Sequence, residues 1–194
     1  MRKLQWFLLM VVMISACKQK KYDEPHVLIE TSIGNIEVEL LPKKAPLTVA
    51  AFLKKVDAGL YDTASFYRVL KNDNVPDEYN TGLIQGGVFQ ANPGIVSSLE
   101  KVPHESPKQT GLTHGSGIIS MARTTPGSAT SEFFICIGDQ KQFDSSSRGK
   151  ADGLGYAAFG KVVDGMAVVR SIQRSKSSGE SFYEPIKIKG IKRL

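Results

Sequence analysis

At 194 residues with two cysteines, the chain is long enough to bury a core without disulfide staples, and one domain with short appendages is the simplest division. Its 18 glycines and 9 prolines are dispersed, which suits a β-rich fold with many turns. The formal net charge of +6 comes from basic residues spread along the chain with no stacking motif beside them, which argues against a nucleic-acid partner.

Residues 1–16 read as a leader outside the fold. Arg2 and Lys3 form a positive end, and Gln5 to Ile14 is a mostly apolar run. That run is shorter than the about 20 residues a bilayer-spanning helix needs and has the form of a secretory h-region. Ile14-Ser15-Ala16-Cys17 closes it. Small residues before a cysteine resemble the lipobox of bacterial lipoproteins, so residues 1–16 are expected to be cut away and Cys17 to carry lipid. Residues 17–26 then form a tether ahead of a domain at 27–194. The competing reading is an ordinary cleavable leader with an incidental cysteine. Removing Arg2 and Lys3 from the 25 basic residues leaves 23 against 19 acidic ones. Lys18, Lys20 and Lys21 cluster beside the lipid site and suit a solvated tether near anionic headgroups. The expected location is the bacterial cell envelope, on a membrane at the periplasmic side or the cell surface. With Cys17 lipidated, Cys136 has no disulfide partner, and its apolar run Phe133 to Ile137 marks it as a buried structural thiol.

Past the tether, Val27 to Ile29 and Ile36 to Leu40 flank Ser32-Ile33-Gly34-Asn35 and predict a β-hairpin. Ile36, Val38 and Leu40 alternate with acids, the pattern of a strand with one wet face. Pro46 to Ala58 predicts a helix, with proline in the first turn, Val49, Phe52, Leu53 and Val56 at helical spacing, and Gly59 as its end. Tyr61 to Leu70 reads as a strand region, Lys71 to Thr81 as a polar surface loop or a specificity element, and Gly82 to Phe89 as strand. Ile118 to Met121 and Phe133 to Ile137 are apolar runs around the loop Ala122 to Glu132. A polar stretch from Gln140 to Gly155 precedes a strand at Tyr156 to Val163 and a helix at Gly165 to Arg174, with Met166, Val169 and Ile172 on one side. Ile186, Ile188 and Ile191 mark a last strand. Many short strands, two distant helices and no βαβ rhythm argue against a Rossmann-like sheet.

Three segments carry the chemistry: Phe66-Tyr67-Arg68-Val69, Gln85-Gly86-Gly87, and Gly117 to Ile135, reading GIISMARTTPGSATSEFFI. An arginine beside glutamine, methionine and phenylalanine describes an apolar groove with one fixed cation, a site suited to twisting a neutral amide. As an ordered set these segments resemble the cyclophilin-type peptidyl-prolyl isomerases, from about Val27 to the C-terminus. The resemblance implies a mainly β fold, a closed eight-stranded antiparallel barrel capped by two α-helices. It implies an isomerase of X–Pro bonds that works on proline-containing polypeptides without cofactor or metal. The leader makes exported polypeptides the expected clients, and monomer is the default where the sequence gives no oligomeric state.

By the same resemblance Arg68 is the catalytic residue and Gln85 the glutamine that braces it. Met121 and Phe134 match the floor of the proline pocket, Leu83 another apolar wall, and Phe66 joins the substrate-binding set. Ala122, Arg123 and Thr124 match the segment that pairs with the peptide, Arg123 through its backbone carbonyl. Several positions depart from the family pattern. Gly82 stands where phenylalanine is frequent, so that wall is thinner or rebuilt, with Tyr79 the candidate. Glu132 replaces a glutamine and Tyr156 a histidine, and Phe143 matches an apolar rim position. The tryptophan linked to tight cyclosporin binding is missing, Trp6 being in the leader, so weak cyclosporin binding is expected.

Each residue has a plainer alternative: Met121, Leu83 and Phe134 as core, Arg68 as an ion-pair arginine, Glu132 as an exposed carboxylate. Gly82 and Glu132 also motivate a second function, a non-catalytic proline-peptide chaperone or scaffold on the same barrel. His26, His104 and His114 lack metal-ligand spacing with Cys136, and no GxSxG, P-loop or GxGxxG supports a hydrolase or nucleotide enzyme.

Overall fold

The computed structural model describes residues 21–145 and 152–194. The leader, Cys17, Lys18 and Lys20 lie outside the described residues, as do residues 146–151 within the polar stretch after Gln140. No helix among the described residues is long and apolar enough to cross a membrane.

The predicted hairpin forms from β1 (His26–Thr31) and β2 (Asn35–Leu40), antiparallel with Ile29 opposite Ile36 and Val27 opposite Val38. Thr31 makes the turn: its hydroxyl donates to the Gly34 carbonyl at 2.6 Å and accepts from the Ile33 and Gly34 amides. The remaining strands are β3 (Ser65–Leu70), β4 (Gly82–Gly87), β5 (Ile118–Met121), β6 (Phe133–Ile137), β7 (Ala157–Asp164), β8 (Ser177–Ser178) and β9 (Ser181–Arg193). Around the sheet they run β1-β2-β7-β5-β6-β4-β3-β9, and β9 pairs back onto β1, so eight antiparallel strands close a barrel. The long β9 makes the closure, meeting β3 through Phe66 and Ile186 and β1 through Ile29 and Ile191. β8 lies outside the ring, a two-residue arm folded onto β9.

Helix α1 (Pro46–Asp57) packs against β7 and β9, and α4 (Met166–Gln173) against β2, β4 and β6. Two further four-residue helices, α2 (Pro93–Val96) and α3 (Pro107–Thr110), lie in a segment for which the sequence had predicted no element. The Ser106-x-x-Gln109 capping box of α3 was a readable signal in that segment. The predicted strand from Tyr61 starts four residues later, because Leu60–Thr63 coils into a 3-10 turn after Gly59. Tyr61 is buried there and its hydroxyl donates to the Ser131 carbonyl.

Inside the barrel Phe52 of α1 meets Tyr61, Phe133 and Phe159, with ring centroids 5.4, 6.0 and 4.9 Å away. These tilted and edge-on contacts are the favoured aromatic geometries and anchor α1 over the barrel. Helix α1 has no capping side chain of its own. Glu105, buried and distant in sequence, supplies one: its carboxylate accepts from the Leu47 and Thr48 amides at 3.2 and 2.7 Å and from the Thr48 hydroxyl at 2.6 Å. This satisfies orphan amides and places negative charge at the positive helix end. Glu105→Ala therefore lowers unfolding stability by about 1–3 kcal/mol, measurable as a shift of the urea midpoint at unchanged slope.

Candidate active site

The strands that fill the barrel also build a groove on its outside. Along β4, β5 and β6, Ile84, Ile119, Met121, Phe133 and Ile135 point inward, so Leu83, Ala122, Phe134 and Cys136 face out. The outward residues form a second apolar cluster, completed by Leu70, Phe143 and Tyr156. Phe134, Phe143 and Tyr156 stand mutually edge-on, each pair of centroids 5.3 Å apart. His114, which the sequence had offered only as a rejected metal ligand, stacks beneath Phe134 at 5.9 Å. Its Nδ1 pairs with Asp144 and its Nε2 with Ser120, so the ring under the seat is fixed at both nitrogens. Cys136 is buried, as read, and burial pushes its thiol well above the usual range.

Arg68 reaches this face through a break in strand register. Phe66 pairs with Gly86, but Arg68 pairs with Gln85, so one extra residue is accommodated between them. In an even strand Phe66 and Arg68 would share a face; the bulge sends Phe66 inward and Arg68 outward. Two assignments are thereby corrected. Phe66 is 0% exposed, packed edge-on to Phe133 inside the barrel, and is not part of the groove. Met121, 1% exposed, has the inward parity of Ile119 and supports the groove from the core instead of flooring the proline pocket.

The groove, about 560 Å³, is lined by Arg68, Gln85, Leu83, Ala122, Arg123, Thr124, Glu132, Phe134, Phe143 and Tyr156, so the structure brings together the other predicted site residues. A directed hydrogen-bond chain runs along one wall. Arg68 Nη1 donates to Gln85 Oε1 at 2.7 Å, Gln85 Nε2 to the Tyr67 hydroxyl at 3.1 Å, and Tyr67 to Glu132 Oε2 at 2.8 Å. Glu132 Oε1 accepts from the Val88 and Phe89 amides and the Ser131 hydroxyl. Glu132 is thus not an exposed carboxylate; it ties the β4 exit to the groove wall. Burial raises its pKa, with these hydrogen bonds pulling the other way. Gly87, at φ +148, is required beside it: a Cβ there would stand 2.4 Å from Glu132 Oε1.

The Arg123 guanidinium binds Asp152 in bidentate fashion at 2.8 and 2.9 Å, donates to the Gly155 carbonyl, and lies 5.3 Å from the Tyr156 ring centre. Beyond any backbone contact it therefore holds Tyr156 in place. Thr124 and Thr125 donate their amides to the Ser128 hydroxyl, folding the loop back on itself.

Gly82 has a positive reason to be glycine. At φ +136 its Cβ would sit 2.0 Å from the Leu70 carbonyl oxygen. Tyr79 does not rebuild that wall: it is 72% exposed and away from the groove. Leu70 lines it instead. No groove-lining residue comes from the loop 71–81, which folds onto itself through Asn80, bonded to the Asn72 amide and carbonyl, and is held by α4. Gln173 of α4 donates to the Leu70 and Thr81 carbonyls at either end of the loop.

Sequence reasoning also missed Tyr67, Leu70, Phe89 and Val96 as groove residues, and Glu180 as a partner of Arg68. Glu180 Oε2 accepts from Arg68 Nε at 2.8 Å and Nη2 at 2.6 Å. The Ser178-Gly179 turn signal announced the hairpin that carries Glu180, but nothing local places that hairpin beside β3.

Comparisons with known proteins agree with one another. The family model described as cyclophilin type peptidyl-prolyl cis-trans isomerase/CLD matches residues 26–193. The chain is 36% identical over 167 residues to peptidyl-prolyl cis-trans isomerase A of Dickeya dadantii (strain 3937), covering 86% of this chain and 80% of that protein. It is 37% identical over 148 residues to peptidyl-prolyl cis-trans isomerase B of Escherichia coli (strain K12), covering 76% and 83%. The fold superposes on a Cryptosporidium parvum cyclophilin type isomerase, crystallised in the presence of the dipeptide Ala-Pro, with a TM-score of 0.68 at 24% identity over 86% of this chain and 96% of that one.

His114 makes the site's support pH-sensitive. Burial lowers its pKa, outweighing the raising effect of Asp144. An unfolded histidine titrates near 6.5, so below about pH 6.5 the unfolded chain binds a proton that the folded one refuses, and stability falls with pH. Glu132, its pKa raised in the fold, works in the opposite direction at lower pH. His114→Gln, neutral throughout, should flatten the loss of stability between pH 7 and 5 relative to the parent, read from urea midpoints across that range.

Proposed function

Given that this chain belongs to the cyclophilin-type peptidyl-prolyl cis-trans isomerases and has their activity, we propose that it accelerates X–Pro rotation in exported polypeptides from a lipid-anchored position, with Arg68 stabilising the twisted amide. Rotation about an X–Pro bond sacrifices amide resonance, and uncatalysed exchange takes tens to hundreds of seconds. No covalent bond need change; a site that binds the twisted amide better than either planar form is sufficient. As the bond twists, the prolyl nitrogen pyramidalises and gains a lone pair. A guanidinium can donate to that lone pair or hold the proline's own carbonyl.

The observation that carries this reading is the 2.7 Å bond between Arg68 Nη1 and Gln85 Oε1, beside the apolar seat of Leu83, Phe134, Phe143 and Tyr156. The brace fixes the direction of the guanidinium before substrate arrives, and the seat takes the pyrrolidine ring and excludes water, strengthening the charge effect. Three of the five arginine N–H bonds serve Gln85 and Glu180, and catalysis draws on the others. The non-catalytic alternative rested on Gly82 and Glu132; Gly82 answers to the Leu70 backbone and Glu132 to the β4 exit, and neither removes the brace or the seat.

The anchored location follows from the leader at 1–16 and Cys17, with residues 17–26 as tether to the isomerase domain at 27–194. The described end of the tether is tied down: Tyr22 stacks on His26 at 3.8 Å and Glu24 pairs with Lys43. Its partners are proline-containing polypeptides, and it acts as a monomer.

Exchange NMR on a short proline peptide tests the mechanism: the mature domain accelerates cis–trans exchange, and Arg68→Ala reduces that acceleration on the order of 10²-fold. Peptide binding without acceleration in the parent protein would sink the enzyme mechanism. For the anchor, the full chain expressed in a bacterium should enter the detergent phase on Triton X-114 partition, and Cys17→Ala should move it to the aqueous phase. A parent protein already in the aqueous phase would mean a plain cleavable leader.

A further inference from the structure

We propose that Glu180 sets the charge preference of the isomerase site, disfavouring peptides with an acidic residue next to the proline; this rests on the isomerase reading above. Glu180 sits in the tight turn between β8 and β9, where Gly179 takes φ +54. Its backbone carbonyl accepts from the Val69 amide at 2.8 Å, stitching the turn to β3 directly beside Arg68. The carboxylate is therefore delivered to the guanidinium by backbone pairing and not by a chance meeting of two long side chains. One oxygen, Oε2, takes both Nε and Nη2 of Arg68 at 2.8 and 2.6 Å.

The groove's other described cation is likewise matched: Arg123 is bidentate to Asp152. Glu132, by contrast, accepts from neutral donors, namely the Val88 and Phe89 amides, Tyr67 and Ser131. Among the described residues, then, neither groove arginine meets a peptide without an acid already on it. A residue following the proline is bonded to the carbonyl that Arg68 would hold, well inside the about 8 Å over which exposed charges interact at physiological salt. If that residue is acidic, it competes with Glu180 for the same guanidinium and is repelled by it. If it is basic, the second oxygen of Glu180 can accept from it. An arginine without this partner would favour the acidic peptide instead.

Arg68 and Glu180 have side chains 37% and 58% exposed, so solvent weakens the effect and the expected preference is modest. Peptides Ala-Ala-Pro-Xaa-Ala, with Xaa alanine, lysine or glutamate, would be compared by kcat/KM at low salt for the parent, Glu180→Gln and Glu180→Lys. The parent prefers lysine over glutamate. Glu180→Gln shifts the lysine-to-glutamate ratio toward glutamate by about two- to five-fold, and Glu180→Lys shifts it further. High salt compresses the three ratios toward one another. The exposed turn tolerates both variants, and equal thermal midpoints would establish that. An unchanged ratio across the three proteins, with the alanine peptide still turned over, would overturn the role of Glu180 alone. No turnover of the alanine peptide by the parent would overturn the isomerase mechanism and this proposal with it.

Discussion

The one-residue bulge in β3 is the constraint from which the site follows. Strand geometry forces residues two apart onto one face, and Phe66 and Arg68 are two apart. Phe66 is needed in the core, where it meets Phe133, and Arg68 is needed in the groove, where it meets Gln85. Only a break in register serves both, and it falls between them in the pairings with β4 and with β9 alike. Without it, either a guanidinium would be buried in a barrel of aromatic rings, at a desolvation cost no partner there could offset, or Phe66 would leave a hole.

From that point the groove is organised in two layers of different character. One wall is apolar, three aromatic rings set edge to face over a histidine locked by Asp144 and Ser120. The other is a polar chain in which each member donates to the next, Arg68 to Gln85 to Tyr67 to Glu132. Chains of this kind polarise along their length, and a fully satisfied one specifies a single arrangement. Glutamate at 132 ends the chain well because it is acceptor-only when ionised and here takes in the two backbone amides that leave β4.

The loop 71–81 and Gly82 show how a polar loop is carried without lining the site. The loop closes through Asn80 and is pinned at its ends by Gln173, so its length is carried on the α4 side of the barrel. Its return into β4 brings the backbone so close to the Leu70 carbonyl that no side chain fits at 82. The thin wall is thus a consequence of the loop's path, and Leu70 fills the space that remains.

The sequence by itself determined the class of fold, most strand positions and many of the groove-lining residues, because alternating burial and turn chemistry are local and the three motifs are an ordered set. The hairpin of β1 and β2, helices α1 and α4 and the apolar runs of β5 and β6 all lie where periodicity puts them, to within a residue or two at most ends. Which face a residue takes was harder. Met121 and Phe66 stand in site motifs yet point inward, since strand parity and the bulge depend on pairing partners that no local pattern names. Tertiary structure alone decided the long-range partners: Glu105 capping α1, Gln173 holding a loop more than ninety residues away, Glu180 on Arg68. Each such contact joins segments far apart in the chain, and a local pattern carries no signal for a meeting that only the folded topology creates.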